Sequence, residues 1–175
     1  MRILHFAGIL AAPVFLAMVL TTSCSKEEAP GGTQHVTNPY PIKYPKYFPD
    51  MVVPSGNRLT EEGVALGRRL YYDVTLSKGG PNDGLSCSSC HNQNIAFSNH
   101  AAGRAVMPHI NLGWHSAFLW DGKIEGTLED IMLFEVKDFF KTNLSVLEAD
   151  TLYPQLFEGA FGSKDISYTR TCLLY

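Results

Sequence analysis

The five residues Cys87-Ser88-Ser89-Cys90-His91 constrain this chain more than any other stretch. Two thiols three positions apart, followed at once by an imidazole, form the attachment signature of a c-type haem. One turn of helix gathers all three groups. Each sulfur can then add across a porphyrin vinyl, and the histidine nitrogen reaches the iron as proximal ligand. The same residues also admit a redox-active dithiol, a structural disulfide or half of a zinc site. Zinc wants four ligands, and the other two cysteines, Cys24 and Cys172, lie in the terminal segments, with His100 and His109 able to complete a site only in principle. A thioredoxin-like dithiol should follow a strand, whereas Lys78 to Gly84 has the Gly, Pro and Asn content of a loop.

Haem of this kind is attached outside the cytoplasm, so its carrier must be exported, and the N-terminus reads as an address. Arg2 precedes an apolar run from Ile3 to Leu20, and Thr21-Thr22-Ser23 then leads to Cys24. The pattern resembles a bacterial lipoprotein signal, with Thr21 where such signals usually carry leucine. Residues 1–23 would then be removed and Cys24 lipidated. An uncleaved anchor and an ordinary cleaved signal are the competing readings. The expected location is the cell envelope or periplasm, with the lipid as the sole membrane contact and the domain itself in water.

Beyond the signal the chain has material for one domain, since 45% of its residues are hydrophobic and 11% aromatic. A net charge of -3 without a Lys/Arg cluster speaks against a nucleic-acid partner. Residues 24–39 read as a tether. Pro39, Pro41, Pro45, Pro49 and Pro54 predict extended backbone, and Tyr40, Tyr44, Tyr47 and Phe48 are too aromatic for a solvated linker, so they are expected to pack on the domain.

Thr60, with Glu61 and Glu62 behind it, predicts a helix start, and Val64, Leu66, Leu70 and Tyr71 supply its apolar side. Gly63 and Gly67 within it suggest close approach of another backbone or of the haem. A second helix is predicted from Thr127 through Phe140, with a capping-box start. A short third helix is predicted with Pro154 at its first position and Gly162 at its end. Strand alternation is not sustained anywhere. The fold class expected is all-α, a cytochrome c-like haem domain with long loops.

From Pro45 to Ser167 several stretches together resemble the bacterial di-haem cytochrome c peroxidase family. They are Leu59 to Asp73, the haem motif, Asn111-Leu112-Gly113-Trp114, Phe118-Leu119-Trp120-Asp121-Gly122 and Tyr153-Pro154-Gln155-Leu156-Phe157. The resemblance implies two haem domains, the N-terminal one binding peroxide and the C-terminal one taking electrons from a donor protein. This chain matches the N-terminal, peroxidatic domain over 40–167. Residues 168–175 do not resemble the helix that leads onward in the family, so they are expected to be an aberrant end, with the second haem domain absent and Cys172 accidental.

Carried over residue by residue, the resemblance makes Cys87 and Cys90 the haem attachment points and His91 the iron ligand. It matches Trp120 to the tryptophan between the two haems, against the plainer reading of a core aromatic. His100 is the nearest residue for a sixth iron ligand, with His109 and His115 behind it. Ala105 replaces a calcium-binding asparagine, so calcium is not expected. The family's acid-base glutamate falls at Lys141-Thr142, leaving Glu135 as the substitute carboxylate, although Glu135 and Asp138 also suit a solvated helix face.

The implied activity is reduction of hydrogen peroxide to water, fed by a small cytochrome or copper protein, in a monomer or a dimer. A mono-haem electron carrier closed by a strong sixth ligand such as Met107 or Met132, and a non-functional truncated product, are the competing readings.

Overall fold

The structure, a computed structural model, describes residues 35–99 and 105–172. These belong to one unit, Gln34–Tyr175. The predicted signal, Cys24, most of the tether, His100 and Arg104 lie outside the described residues. Among the described residues no helix is long and apolar enough to cross a membrane.

Helix α1 spans Glu61–Tyr72 and starts as its sequence demands. The Thr60 hydroxyl accepts from the Gly63 N–H at 3.0 Å, and Glu61 and Glu62 sit at the positive end of the helix dipole. Glu62 also accepts from the Asn38 backbone and side chain, the latter at 2.7 Å. Tyr40 N–H bonds the Leu59 carbonyl, and Pro39 bridges Thr60. Asn38 and Pro39, read as the end of a tether, are therefore docked on the start of α1. The close approach expected at Gly63 is only to its own cap, because a Cβ there would meet Thr60 Oγ1.

A one-turn helix α2, Cys87–Cys90, follows a 3-10 turn at Val74–Ser77. The haem motif is thus helical at the scale its spacing requires. The chain then runs irregularly until a two-residue antiparallel pair, β1 Ala117–Phe118 with β2 Ile124–Glu125. This pair modifies the all-α expectation only slightly, since it frames one turn. Helix α3, Leu128–Phe134, carries the predicted capping box, with Asp130 accepting from the Thr127 N–H at 2.7 Å.

The long second helix expected through Phe140 does not stay α. It widens into a π turn at Glu135–Phe139, closed by Phe140 N–H to the Glu135 carbonyl at 2.8 Å. Helices α4, Leu144–Glu148, and α5, Tyr153–Phe161, complete the predicted set. Pro154 stands second in α5, because Asp150 Oδ1 already caps the Leu152 and Tyr153 N–H groups. Gly162, at φ 73°, ends it in the left-handed conformation that favours glycine.

Helix α6, Tyr168–Cys172, packs against α3 and buries Thr171 and Cys172. The Tyr168 hydroxyl donates to the Thr142 carbonyl at 2.8 Å. The Cys172 thiol in turn donates to the Tyr168 carbonyl within the same helix.

The core gathers Leu66 and Leu70 from α1, Leu76, Phe140, Leu147 from α4, Tyr153, Phe157 and Ala160 from α5, and Ile166. Leu147 and Phe157 are wholly excluded from water, which stabilises the fold by about 2–3 kcal/mol for each side chain. Cys87 belongs to the same cluster, so the haem motif is anchored directly to the core. At Gly80 a Cβ would collide with the Phe140 carbonyl, so this loop packs backbone to backbone against the π turn.

Candidate haem site

Cys87 is buried and Cys90 half-buried, one helical turn apart, with the His91 N–H bonded to the Cys87 carbonyl at 2.9 Å. Ser86 caps the turn in both directions. Its N–H donates to Ser89 Oγ at 3.0 Å, and its own hydroxyl lies 3.1 Å from the same atom. Both thiols are free. Burial, reinforced by Glu135 and Cys90, pushes the Cys87 thiol up to about 12. A redox dithiol needs a thiol poised toward thiolate, and Cys87 is held the other way. Among the described residues no three His, Cys, Asp or Glu side chains gather to hold a metal.

His91 is oriented by a loop that closes on itself. Asn92 N–H bonds the Ser98 carbonyl at 2.9 Å and Phe97 N–H bonds the Asn92 carbonyl at 2.8 Å. To close, Ala96 and Phe97 adopt φ of 58° and 54°, a left-handed pair without glycine. The turn presents the Phe97 carbonyl to His91 Nδ1 at 3.0 Å. A carbonyl on Nδ1 fixes that nitrogen as the donor and leaves Nε2 for a metal, the usual arrangement of a ligating histidine. Burial lowers the pKa of His91, against the opposing pull of the Phe97 and Met107 carbonyls. The ring is thereby favoured in the neutral form that binds metal.

His109 lies face to face with His91, the ring centroids 3.5 Å apart and the planes at 21°. Its Nδ1 is 3.1 Å from the Tyr71 hydroxyl, and burial followed by the neighbouring His91 pushes its pKa down to about 4. Tyr71 also stands edge-on to Phe97. These residues form one connected cluster beside the motif. His115 is exposed and lies outside this cluster.

Glu135 and Asp138, paired in sequence reasoning as a solvated face, both lie in the π turn. Asp138 is exposed, whereas Glu135 is half-buried, and burial raises its carboxyl to about 7. Its negative charge contributes to raising the Cys87 thiol. Trp120 is not a core aromatic. It sits 69% exposed at the tip of the β1–β2 hairpin, in a turn closed by Gly122 N–H to the Leu119 carbonyl, and its indole N–H donates to the Ala105 carbonyl at 3.0 Å.

The strap that precedes α1 is pinned nearby. Trp114 donates to the Pro49 carbonyl at 2.8 Å and takes Tyr44 and Phe48 edge-on. Tyr47, expected to pack with them, is instead 84% exposed. Sequence reasoning missed Phe97, which acts through its backbone, and Tyr71, whose helical periodicity marks it only as an apolar-face residue.

A mostly helical domain that carries a Cys-x-x-Cys-His turn on its core and a backbone-oriented imidazole is compatible with the c-type cytochrome class. The family model of the di-haem cytochrome c peroxidases matches residues 61–173, and this chain belongs to that family. It is 35% identical over 128 residues to the methylamine utilization protein MauG of Methylorubrum extorquens, covering 64% of this chain and 35% of that protein. It is 30% identical over 139 residues to the protein of the same name from Methylophilus methylotrophus, covering 70% and 40%. A cytochrome-c peroxidase, IdrP2, of Denitromonas iodatirespirans is 33% identical over 73 residues, 36% of this chain and 19% of its own length. The crystal structure of a MauG-like protein associated with microbial copper homeostasis superimposes with a TM-score of 0.58 at 27% identity, over 77% of this chain and 45% of that one. The chain thus spans less than half the length of the relatives it matches. The family implies haem c and peroxidase-type redox chemistry.

Proposed function

We propose that this chain carries one covalent haem and serves as the peroxide-reacting domain of a two-haem enzyme of its family, taking electrons from a small redox protein. The observation that carries the reading is the Cys87–His91 turn, set on the core with His91 Nδ1 held by the Phe97 carbonyl. In this reading Cys87 and Cys90 form the two thioethers and His91 Nε2 ligates the iron. The haem, when bound, supplies one-electron redox chemistry and a metal at which a peroxide can be cleaved. Reduction of hydrogen peroxide to two waters consumes two electrons and two protons, and the chain's task is to deliver the protons.

Glu135 suits that task. A carboxyl raised to about 7 by burial holds its proton in acid and releases it near neutrality, so its carboxyl oxygen can donate and then accept. Trp120, exposed on its hairpin, offers an aromatic surface where a second redox domain can approach. The N-terminal signal and Cys24 support an exported, lipid-anchored protein of the periplasm or cell envelope.

The test is the optical spectrum of the haem-loaded full chain, with and without hydrogen peroxide. The reading expects the spectrum to change with peroxide, and Glu135→Gln to slow that change by about 10²-fold or more. A haem spectrum indifferent to peroxide overturns the peroxidatic reading and leaves a mono-haem electron carrier.

A further inference from the structure

His91, His109 and Tyr71 form a connected group that haem attachment alone does not require. A metal bound at His91 Nε2 lies in the plane of that ring, and the ligand opposite lies farther out in the same plane. A ring packed flat on the face of His91, 3.5 Å away, is beside the ligand and not across the metal from it. His109 is therefore in the wrong place to be the sixth ligand, and the arrangement suits a different purpose.

Two motions are open to an imidazole that backbone carbonyls, Phe97 and Met107, hold at its edge: it can slide along those bonds, and it can rotate about the axis through its ligating nitrogen. The Phe97 carbonyl at 3.0 Å limits the first. A parallel ring on the His91 face limits the second, provided that ring is itself fixed. Tyr71 fixes it, with its hydroxyl 3.1 Å from His109 Nδ1 and 3.5 Å from the His91 carbonyl. Tyr71 belongs to α1, next to Leu70 and packed against the core cluster, and its ring stands edge-on to both Phe97 and His109. The circuit runs from the rigid helix through Tyr71 to His109, onto His91, and back through Phe97.

We infer that His109, braced by Tyr71, is a positioning residue that sets the rotation of the His91 imidazole about its bond to the metal. The inference rests on the haem reading above. Rotation of an axial imidazole changes how its π orbitals overlap the iron d orbitals, so it is read in the paramagnetic signature of the haem and in its reduction potential, the properties that ligand orientation and second-shell contacts tune.

The experiment uses the haem-loaded full chain and its His109→Ala, His109→Phe and Tyr71→Phe variants, each examined by proton NMR of the oxidised haem methyl groups and by redox titration. His109→Ala is expected to reorder the haem-methyl shifts and move the potential. His109→Phe, which keeps a flat ring on His91 but lacks the ring nitrogen beside Tyr71, is expected to restore most of the wild-type pattern. Tyr71→Phe keeps every ring contact and loses only the hydroxyl, so it guards against misfolding and is expected to show a smaller change in the same direction.

A haem-bearing His109→Ala protein with unchanged methyl shifts and potential overturns the inference while leaving the haem reading intact. A His109→Phe protein indistinguishable from His109→Ala also overturns it. A wild-type chain that attaches no haem overturns the haem reading, and this inference with it.

Discussion

Around Leu66, Leu147 and Phe157 the domain is closed by apolar side chains that exclude water almost completely. Around Cys87–His91 and residues 105–115 it is held by loop hydrogen bonds, stacked half-buried rings and left-handed residues at Ala96, Phe97 and Asn111. The first region is finished by its own sequence. The second arranges thiols, imidazoles and backbone donors around a single helical turn. The two meet at Cys87, which belongs to the core cluster and to the motif at once. The packed core and the proposed haem chemistry thus fall in different halves of one small domain, and substitutions in each half should be felt differently.

The largest effect is expected in the packed half. Phe157→Ala removes a ring with no exposure and should lower unfolding free energy by about 3–5 kcal/mol. Denaturant titration should find nearly the same loss with and without attached haem. A loss that appears only in the haem-loaded chain would break the division between the halves.

A smaller effect is expected where the halves join. Burial raises Glu135 from 4.5 to about 7 in the folded chain. Between those values the folded chain holds a proton that the unfolded chain has released, so stability falls as pH rises through that window. His109 acts in the opposite sense: its lowered pKa makes stability fall as pH drops from 6.5 toward about 4. Comparing the wild type with Glu135→Gln isolates the first effect, worth up to about 3 kcal/mol across the window. Parallel pH-stability curves for the two proteins would mean that the carboxyl is solvated, as its helical position alone suggests.

The parts of the fold visible in the sequence were those governed by local rules. The Thr60 cap, the capping box at Thr127 and the stop at Gly162 all appear where their residue types demand, because each depends on neighbours within a few positions. The π turn at Glu135 did not declare itself. Its apolar spacing through Phe140 is also that of an α-helix, and only the tertiary contacts of Phe140 with the core and with Gly80 distinguish the two. The site divides in the same way. Cys87, Cys90 and His91 are a contiguous pattern, whereas the Phe97 carbonyl, the Tyr71 hydroxyl and the His109 ring come from three separate segments. The exposure of Trp120 was equally hidden, since a two-residue hairpin leaves no alternation to read.

The central claim is that the Cys87–His91 turn holds a haem covalently, and the most direct measurement is the mass and visible spectrum of the full chain produced in a host that attaches c-type haem. The account predicts one haem per chain, retained under denaturing conditions, and none on the Cys87→Ser/Cys90→Ser protein. A wild-type chain without haem, or a double variant that still carries it covalently, would contradict the account.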